Sequence, residues 1–198
     1  MRNLIVAMMC IFFAKTVAAQ QADSLAFDEH NKYIYYQTVA QADLSKDTLY
    51  RRGLYFMKTA APKSKIKLSL ADEAQGVLTG NGSFMVAKKA LILSSVGGQI
   101  TYTLRIEVKD AKYRYWFTGF VYTPYQRDRY GADVPTPGVN IPLEEAKNKV
   151  DKRDLAVYLD KVLQNSRQVG AILKSYMLKT SSLPKTDKGI KKISTKEW

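Results

Sequence analysis

The sequence predicts an α+β domain: one antiparallel sheet of about five strands carries two helices on one face, in the order strand, helix, four strands, helix. Three observations predict it. Apolar and polar residues alternate strictly at Lys65–Leu70 and Gln99–Val108, the period of a half-buried strand. Three- and four-residue apolar spacing marks two other stretches, one after Leu44 and one after Pro142. Finally, only Lys109-Asp110-Ala111-Lys112 separates the second alternating run from the aromatic stretch Tyr113–Tyr122, so those two runs form a hairpin.

Taken in order, Tyr33–Ala40 is aromatic and β-branched, as a first strand should be. Ser45 reads as the N-cap of the first helix, with Asp47 facing the positive end of the dipole and Leu44 able to staple onto Leu49. Leu49, Gly53, Phe56, Met57 and Ala60 line one helical face, and Pro62 closes the helix. In Lys65–Leu70 the alternation places Ile66, Leu68 and Leu70 together on one side. Asp72, Glu73 and Gly76 mark a turn into Val77–Lys88, where Gly80-Asn81-Gly82 suggests a bulge or tight bend.

Opposing Val108 to Tyr113 in the hairpin puts Ile100, Tyr102, Leu104, Ile106 and Val108 on the face of Tyr113, Tyr115, Phe117 and Val121. A one-residue slip would bury Arg114 instead, so the first register is expected. Pro124–Ile141 contains Pro135, Pro137, Gly131 and Gly138 and is longer than compact domains normally tolerate, so it reads as functional or mobile. Pro142-Leu143-Glu144-Glu145 then opens the closing helical region. From Leu155 to Tyr176 helical spacing persists for about six turns.

The flanks bound the compartment. Met1-Arg2-Asn3, the uncharged run Leu4–Ala14 and Lys15-Thr-Val-Ala-Ala19 have the grammar of a signal peptide over residues 1–19, cleaved before Gln20. The apolar run falls short of the roughly 20 residues of a membrane span. Residues 20–32 form a polar lead-in whose composition gives no reason to order, 33–178 a single domain, and 179–198 a basic, disordered tail. Cys10, the only cysteine, would leave with the peptide and lies behind a poor lipoprotein box, so disulfides and thiolate chemistry are excluded from the mature chain. Without Arg2 and Lys15, 29 basic residues face 18 acidic ones, so the net charge falls from +13 to about +11. Such a balance attracts anionic glycans, membrane headgroups or nucleic acid, and export makes the last the least available.

Ser45-Lys46-Asp47-x-Leu49-Tyr50-Arg51, Gly76-Val-Leu-Thr-Gly80-Asn-Gly82 and Lys112-Tyr-Arg-Tyr-Trp-Phe117 resemble the family of domain of unknown function 4468. The resemblance runs from about Tyr33 to Leu178. It implies a TATA-binding-protein-like fold and an exported protein of a Gram-negative bacterium. No functional residue comes with it, because that family carries no established activity.

The residues that could carry chemistry are few. His30 is the sole histidine and lies in the lead-in, and no carboxylates cluster at metal spacing, so neither a catalytic histidine nor a metal is expected. Nor is a cofactor: Gly76, Gly80 and Gly82 lack the Gly-Lys-Ser/Thr ending of a phosphate loop. Asp72 and Glu73 read as solvated turn residues.

The outward face of the hairpin has two readings. Its register sets Glu107 opposite Arg114, Arg105 opposite Trp116, Phe120 beside Thr101 and Tyr122 beside Gln99. Ion pairs and an arginine over an indole are ordinary sheet stabilisers. The sharper reading is a recognition surface of Arg105, Arg114, Trp116, Phe120 and Tyr122, with Lys65 and Lys67 nearby. Tyr125, Arg127, Arg129 and Tyr130 of the following connection would extend it. The expected function is a noncatalytic binding or assembly module of the cell envelope, its partner an envelope protein or an anionic glycan or membrane surface, with a homo-oligomer also open. The alternatives are an envelope enzyme using carboxylates, tyrosines or lysines, and a nucleic-acid-binding protein.

Overall fold

The computed structural model of the chain describes residues 25–89 and 94–178. The expected signal peptide, residues 20–24 of the lead-in and the basic tail lie outside the described residues. Five long strands are those read from the sequence: β2 (Tyr33–Ala40), β3 (Lys67–Asp72), β4 (Val77–Lys89), β5 (Ser94–Lys109) and β6 (Lys112–Arg127). Three short ones join them, β1 (Ala26–Phe27), β7 (Asp133–Pro135) and β8 (Ile141–Pro142). The sheet runs β1-β2-β6-β5-β4-β3, with β7 and β8 pairing the far half of β6, and every pairing is antiparallel.

Helix α1 (Lys46–Thr59) starts as its sequence directs, the Ser45 hydroxyl accepting the Thr48 N–H at 3.3 Å. Its end is also local: Thr59 is followed by a 3-10 turn at Ala61–Ser64 with Pro62 inside it. The closing helical region divides into two. A 3-10 helix at Leu143–Asn148 comes first, and the Asp151 carboxylate then accepts the Arg153 N–H at 2.8 Å to open α2 (Lys152–Leu178).

Both helices cover one face of the sheet. A Cβ at Gly53 would stand 2.9 Å from Leu78 Cδ1 and 3.1 Å from Met177 Cε, which places α1 against β4 and the end of α2. Buried Arg52 donates to the Met177 carbonyl, setting a cation at the negative end of α2. Between helices and sheet lies an aromatic core of Tyr102, Tyr113, Tyr115, Phe117 and Phe120. Gly82 lets the Tyr102 ring lie on β4, since a Cβ there would be 2.5 Å from the ring.

The expected hairpin register is the observed one near the turn, with Val108 opposite Tyr113, Glu107 opposite Arg114 and Arg105 opposite Trp116. Further along it is not. Thr103 opposes Thr118 but Thr101 opposes Val121, so β6 carries one residue more than β5 in this interval. Gly119 supplies the left-handed conformation (φ 65°) at this bulge. Every side chain beyond it changes face: Phe120 and Tyr122, expected outward, point into the core, and Val121, expected inward, turns out.

A second bulge, between Leu68 and Leu70, breaks the alternation of β3 and leaves Leu70 49 % exposed, away from buried Ile66. Of the bulge or tight bend expected at Gly80-Asn81-Gly82, a bulge is what forms, on the neighbouring strand: the Leu68–Leu70 irregularity lies opposite Gly80 and Thr79, while β4 pairs with β5 without interruption from Val77 to Val86. Residues 124–141 are no open loop either. β6 continues to Arg127, turns on Asp128 and returns as β7, and β8 then pairs Ile141 with Tyr122. Residues 25–32, expected to lack order, form a short hairpin: Ala26 pairs with Ile34, and the Asp28 carboxylate accepts the His30 and Lys32 N–H groups. The composition of the lead-in is polar, but an Asx turn needs only one well-placed aspartate.

Candidate functional site

The face of the sheet opposite the helices carries two residue rows that cross several strands. One runs Tyr36, Trp116, Arg105, Thr79, Leu70; the next runs Thr38, Arg114, Glu107, Val77, Asp72. Each row follows from pairing and parity, so neighbouring rows bring Tyr36, Arg105, Glu107, Arg114 and Trp116 into one cluster.

Glu107 organises that cluster. One carboxylate oxygen accepts from Arg105 Nε at 2.9 Å; the other accepts from Arg114 Nε at 2.8 Å and lies 2.6 Å from its Nη2. Both guanidinium groups then stand over the half-buried Trp116 indole, at 5.7 Å for Arg105 and 5.4 Å for Arg114. Tyr36 lies beside the indole, with ring centroids 6.2 Å apart, and its hydroxyl accepts from Thr38 at 3.1 Å. Glu107 first, and then the Tyr36 hydroxyl nearby, raise the Arg114 pKa further.

Partial burial pushes the Glu107 carboxyl up, but the bonds from Arg114 and Arg105 outweigh it and hold the carboxyl below its ordinary value of 4.5. A depressed carboxylate contributes stability above its unfolded pKa and loses it as pH falls through the folded one. Urea midpoints should therefore fall for the wild type relative to Glu107→Gln as pH drops below about 4.5. Since both arginines are well exposed, the gap at neutral pH should be small, about 0.2–1 kcal/mol per pair.

Two depressions flank the cluster. One, of about 190 Å³, is lined by Tyr36, Thr38, Glu107, Lys109, Lys112 and Arg114, with the edge of Tyr113. The other, of about 280 Å³, is lined by Asp28, Glu29, Ile34, Tyr36, Arg114 and Trp116. Tyr36 and Arg114 form the wall between them.

Of the residues expected at a site, the structure brings Arg105, Arg114 and Trp116 together and separates the rest. Phe120 (1 % exposed) and Tyr122 (3 %) belong to the core, where the Tyr122 hydroxyl donates to the Gly97 carbonyl at 2.7 Å and meets the Tyr158 hydroxyl at 3.3 Å. Burial raises both phenol pKa values. Tyr125, Arg127, Arg129 and Tyr130 lie toward the far end of β6. There Asp128 caps a tight turn, Arg127 donates to the Gly131 carbonyl, and Arg129 covers Tyr130, which is 81 % exposed. Eleven residues of strand separate Trp116 from Arg127, roughly 30 Å or more, so the hairpin tip is a separate surface. Lys67 sits on β3, three strand spacings or roughly 14 Å from Trp116, and Lys65 occupies the left-handed end of the 3-10 turn.

Tyr36, Thr38, Lys109 and Lys112 were not anticipated. Neighbourhood in the sheet places Tyr36 beside Trp116, and no local pattern in β2 carries that information. Among the described residues no three His, Cys, Asp or Glu side chains converge as a metal site would require, and no helix is long and apolar enough to cross a membrane.

An antiparallel sheet with both helices on one face, and no element on the other among the described residues, is the architecture of a TBP-like α+β domain. Residues 35–123 match the family model described as domain of unknown function (DUF4468) with TBP-like fold. Two solved structures are similar. A DUF4468 family protein from Bacteroides ovatus aligns with a TM-score of 0.59 at 13 % identity, covering 83 % of this chain and 95 % of that one. A TBP-like protein from Parabacteroides distasonis aligns with a TM-score of 0.56 at 13 % identity, covering 74 % of this chain and 92 % of that one. At that identity the likeness is one of fold. No curated protein matches the chain.

Proposed function

We propose that this chain is a noncatalytic recognition module of the bacterial cell envelope, exported by cleavage of residues 1–19, whose contact surface is the sheet face around Trp116. The observation that carries this reading is the Arg105–Glu107–Arg114 clamp, which holds an indole on the side of the sheet that no helix covers among the described residues. Ordered aromatic and arginine side chains contribute contact area with little further loss of conformational freedom, which is why both are enriched at binding surfaces. The net charge of about +11 after cleavage favours an anionic component of the envelope as partner. A nucleic-acid role would rest on fold analogy alone, which is no warrant.

Pull-down from solubilised native envelope tests the reading. Wild type should capture a saturable partner, Arg105→Ala/Arg114→Ala should lose it, and Arg129→Ala/Tyr130→Ala should keep it. Equal capture by all three proteins would sink the proposal.

A further inference from the structure

We infer that the depression between β2 and the β5–β6 turn binds a phosphate monoester, held by Lys109, Lys112 and Arg114 against the wall of Tyr36 and Thr38. This rests on the recognition reading above and names the chemistry of its partner.

The charges in this depression are unbalanced in a particular way. Lys109 and Lys112 stand directly opposite each other at the end of the hairpin, an arrangement that destabilises a sheet through like-charge repulsion. Neither makes an ion pair among the described residues. Asp110, between them, is committed elsewhere: its carboxylate accepts the Lys46 N–H at 2.8 Å. Glu107, the carboxylate in the lining, already serves two arginines. The five groups Arg105, Glu107, Lys109, Lys112 and Arg114 thus sum to a charge of +3 on one side of the sheet, with the single Asp110 carboxylate turned to the start of α1.

The platform beneath the lysines is fixed. Ala111 holds a left-handed conformation (φ 60°), its N–H donates to the Leu44 carbonyl at 2.9 Å, and its own carbonyl accepts from Gln41 at 2.7 Å. The cations are therefore carried by a turn tied to the start of α1, which lowers the cost of ordering them around a ligand.

Charge and shape choose the ligand. A phosphate monoester carries about −1.5 to −2 charge and three acceptor oxygens, a match for three cationic side chains, Lys109 from β5 and Lys112 and Arg114 from β6. A carboxylate is planar and suits a free arginine fork, but the Nε–Nη2 edge of Arg114 is taken by Glu107, so Arg114 can add only a single donor and its charge beside the two lysines. The volume of about 190 Å³ lies below the roughly 300 Å³ where drug-sized pockets begin, so it suits a headgroup whose remainder crosses Tyr36.

Titration of the ¹⁵N-labelled mature chain with inorganic phosphate, at constant ionic strength, tests the site. Saturable shifts at the amides of Thr38, Lys109, Lys112 and Arg114, with affinity falling about tenfold or more in Lys109→Gln/Lys112→Gln, are expected. Vesicles of phosphatidylcholine with phosphatidic acid, set against phosphatidylglycerol at equal charge, distinguish the source. Preference for phosphatidic acid assigns a lipid headgroup, and phosphate binding without it assigns a soluble or glycan-borne phosphate. Equal affinity for glucuronate, or affinity unchanged in the double lysine variant, would overturn the site. If phosphate fails while Arg105→Ala/Arg114→Ala still abolishes envelope capture, only this pocket falls. If capture also survives that variant, the recognition reading falls with it.

Discussion

Phe120→Ala should lower the unfolding free energy by about 3–5 kcal/mol, the range for truncating a fully buried aromatic ring. The residue lies past the Gly119 bulge, on the helix side of β6, with its ring 6.2 Å from that of Tyr102. Tyr102 in turn packs on Phe84 and Phe117, at 6.0 and 5.6 Å, so removing Phe120 opens a hole inside an aromatic cluster that cannot easily collapse. Domains of this size are stable by about 5–15 kcal/mol, so the loss is a large share of the total. Trp116→Ala, four residues earlier but on the open face, should cost only about 1 kcal/mol, the scale of exposed cation–π contacts. Urea denaturation of the two variants separates the faces of one strand. Similar losses in both would refute the bulge.

Gly170→Leu should cost about 2 kcal/mol or more, although leucine is the better helix former by nearly 1 kcal/mol. Packing decides the sign. A Cβ at Gly170 would stand 2.5 Å from the Tyr115 hydroxyl and 3.0 Å from its ring, and Tyr115 is itself buried in the sheet. One turn earlier on the same face, Ser166 is also fully buried, so small residues let α2 approach β6. A double-mutant cycle with Tyr115→Phe, which removes the nearest atom, should recover part of the loss. Additive losses would mean that the helix is not seated on that ring.

What could be read from the residues divides along sequence distance. The Ser45 cap, the strands and the Val108–Tyr113 register depend on neighbours within a few residues, and all are present. The Gly119 bulge breaks the single alternation expected through β6. Tyr113, Tyr115 and Phe117 keep one phase and Phe120 and Tyr122 the other, and a glycine between two out-of-phase apolar runs is the signal that could have revealed it. Ser69, the extra residue of β3 between Leu68 and Leu70, has no glycine beside it in its own strand; its marker is Gly80, across the pair from Leu68. Of the site, Glu107 opposite Arg114 and Arg105 opposite Trp116 are legible from the hairpin alone, whereas the second ion pair, Arg105 to Glu107 along β5, is not. Tyr36 and Thr38 were not, because β2 reaches β6 only after the chain has crossed α1 and three further strands, and that closure depends on the whole core.

The most direct test of the central claim is the affinity of folded Trp116→Ala protein for native envelope vesicles. If the indole on the uncovered side of the sheet is the anchor, affinity should drop about tenfold or more while the unfolding midpoint stays near that of the wild type. Unchanged affinity in a fully folded variant would contradict it.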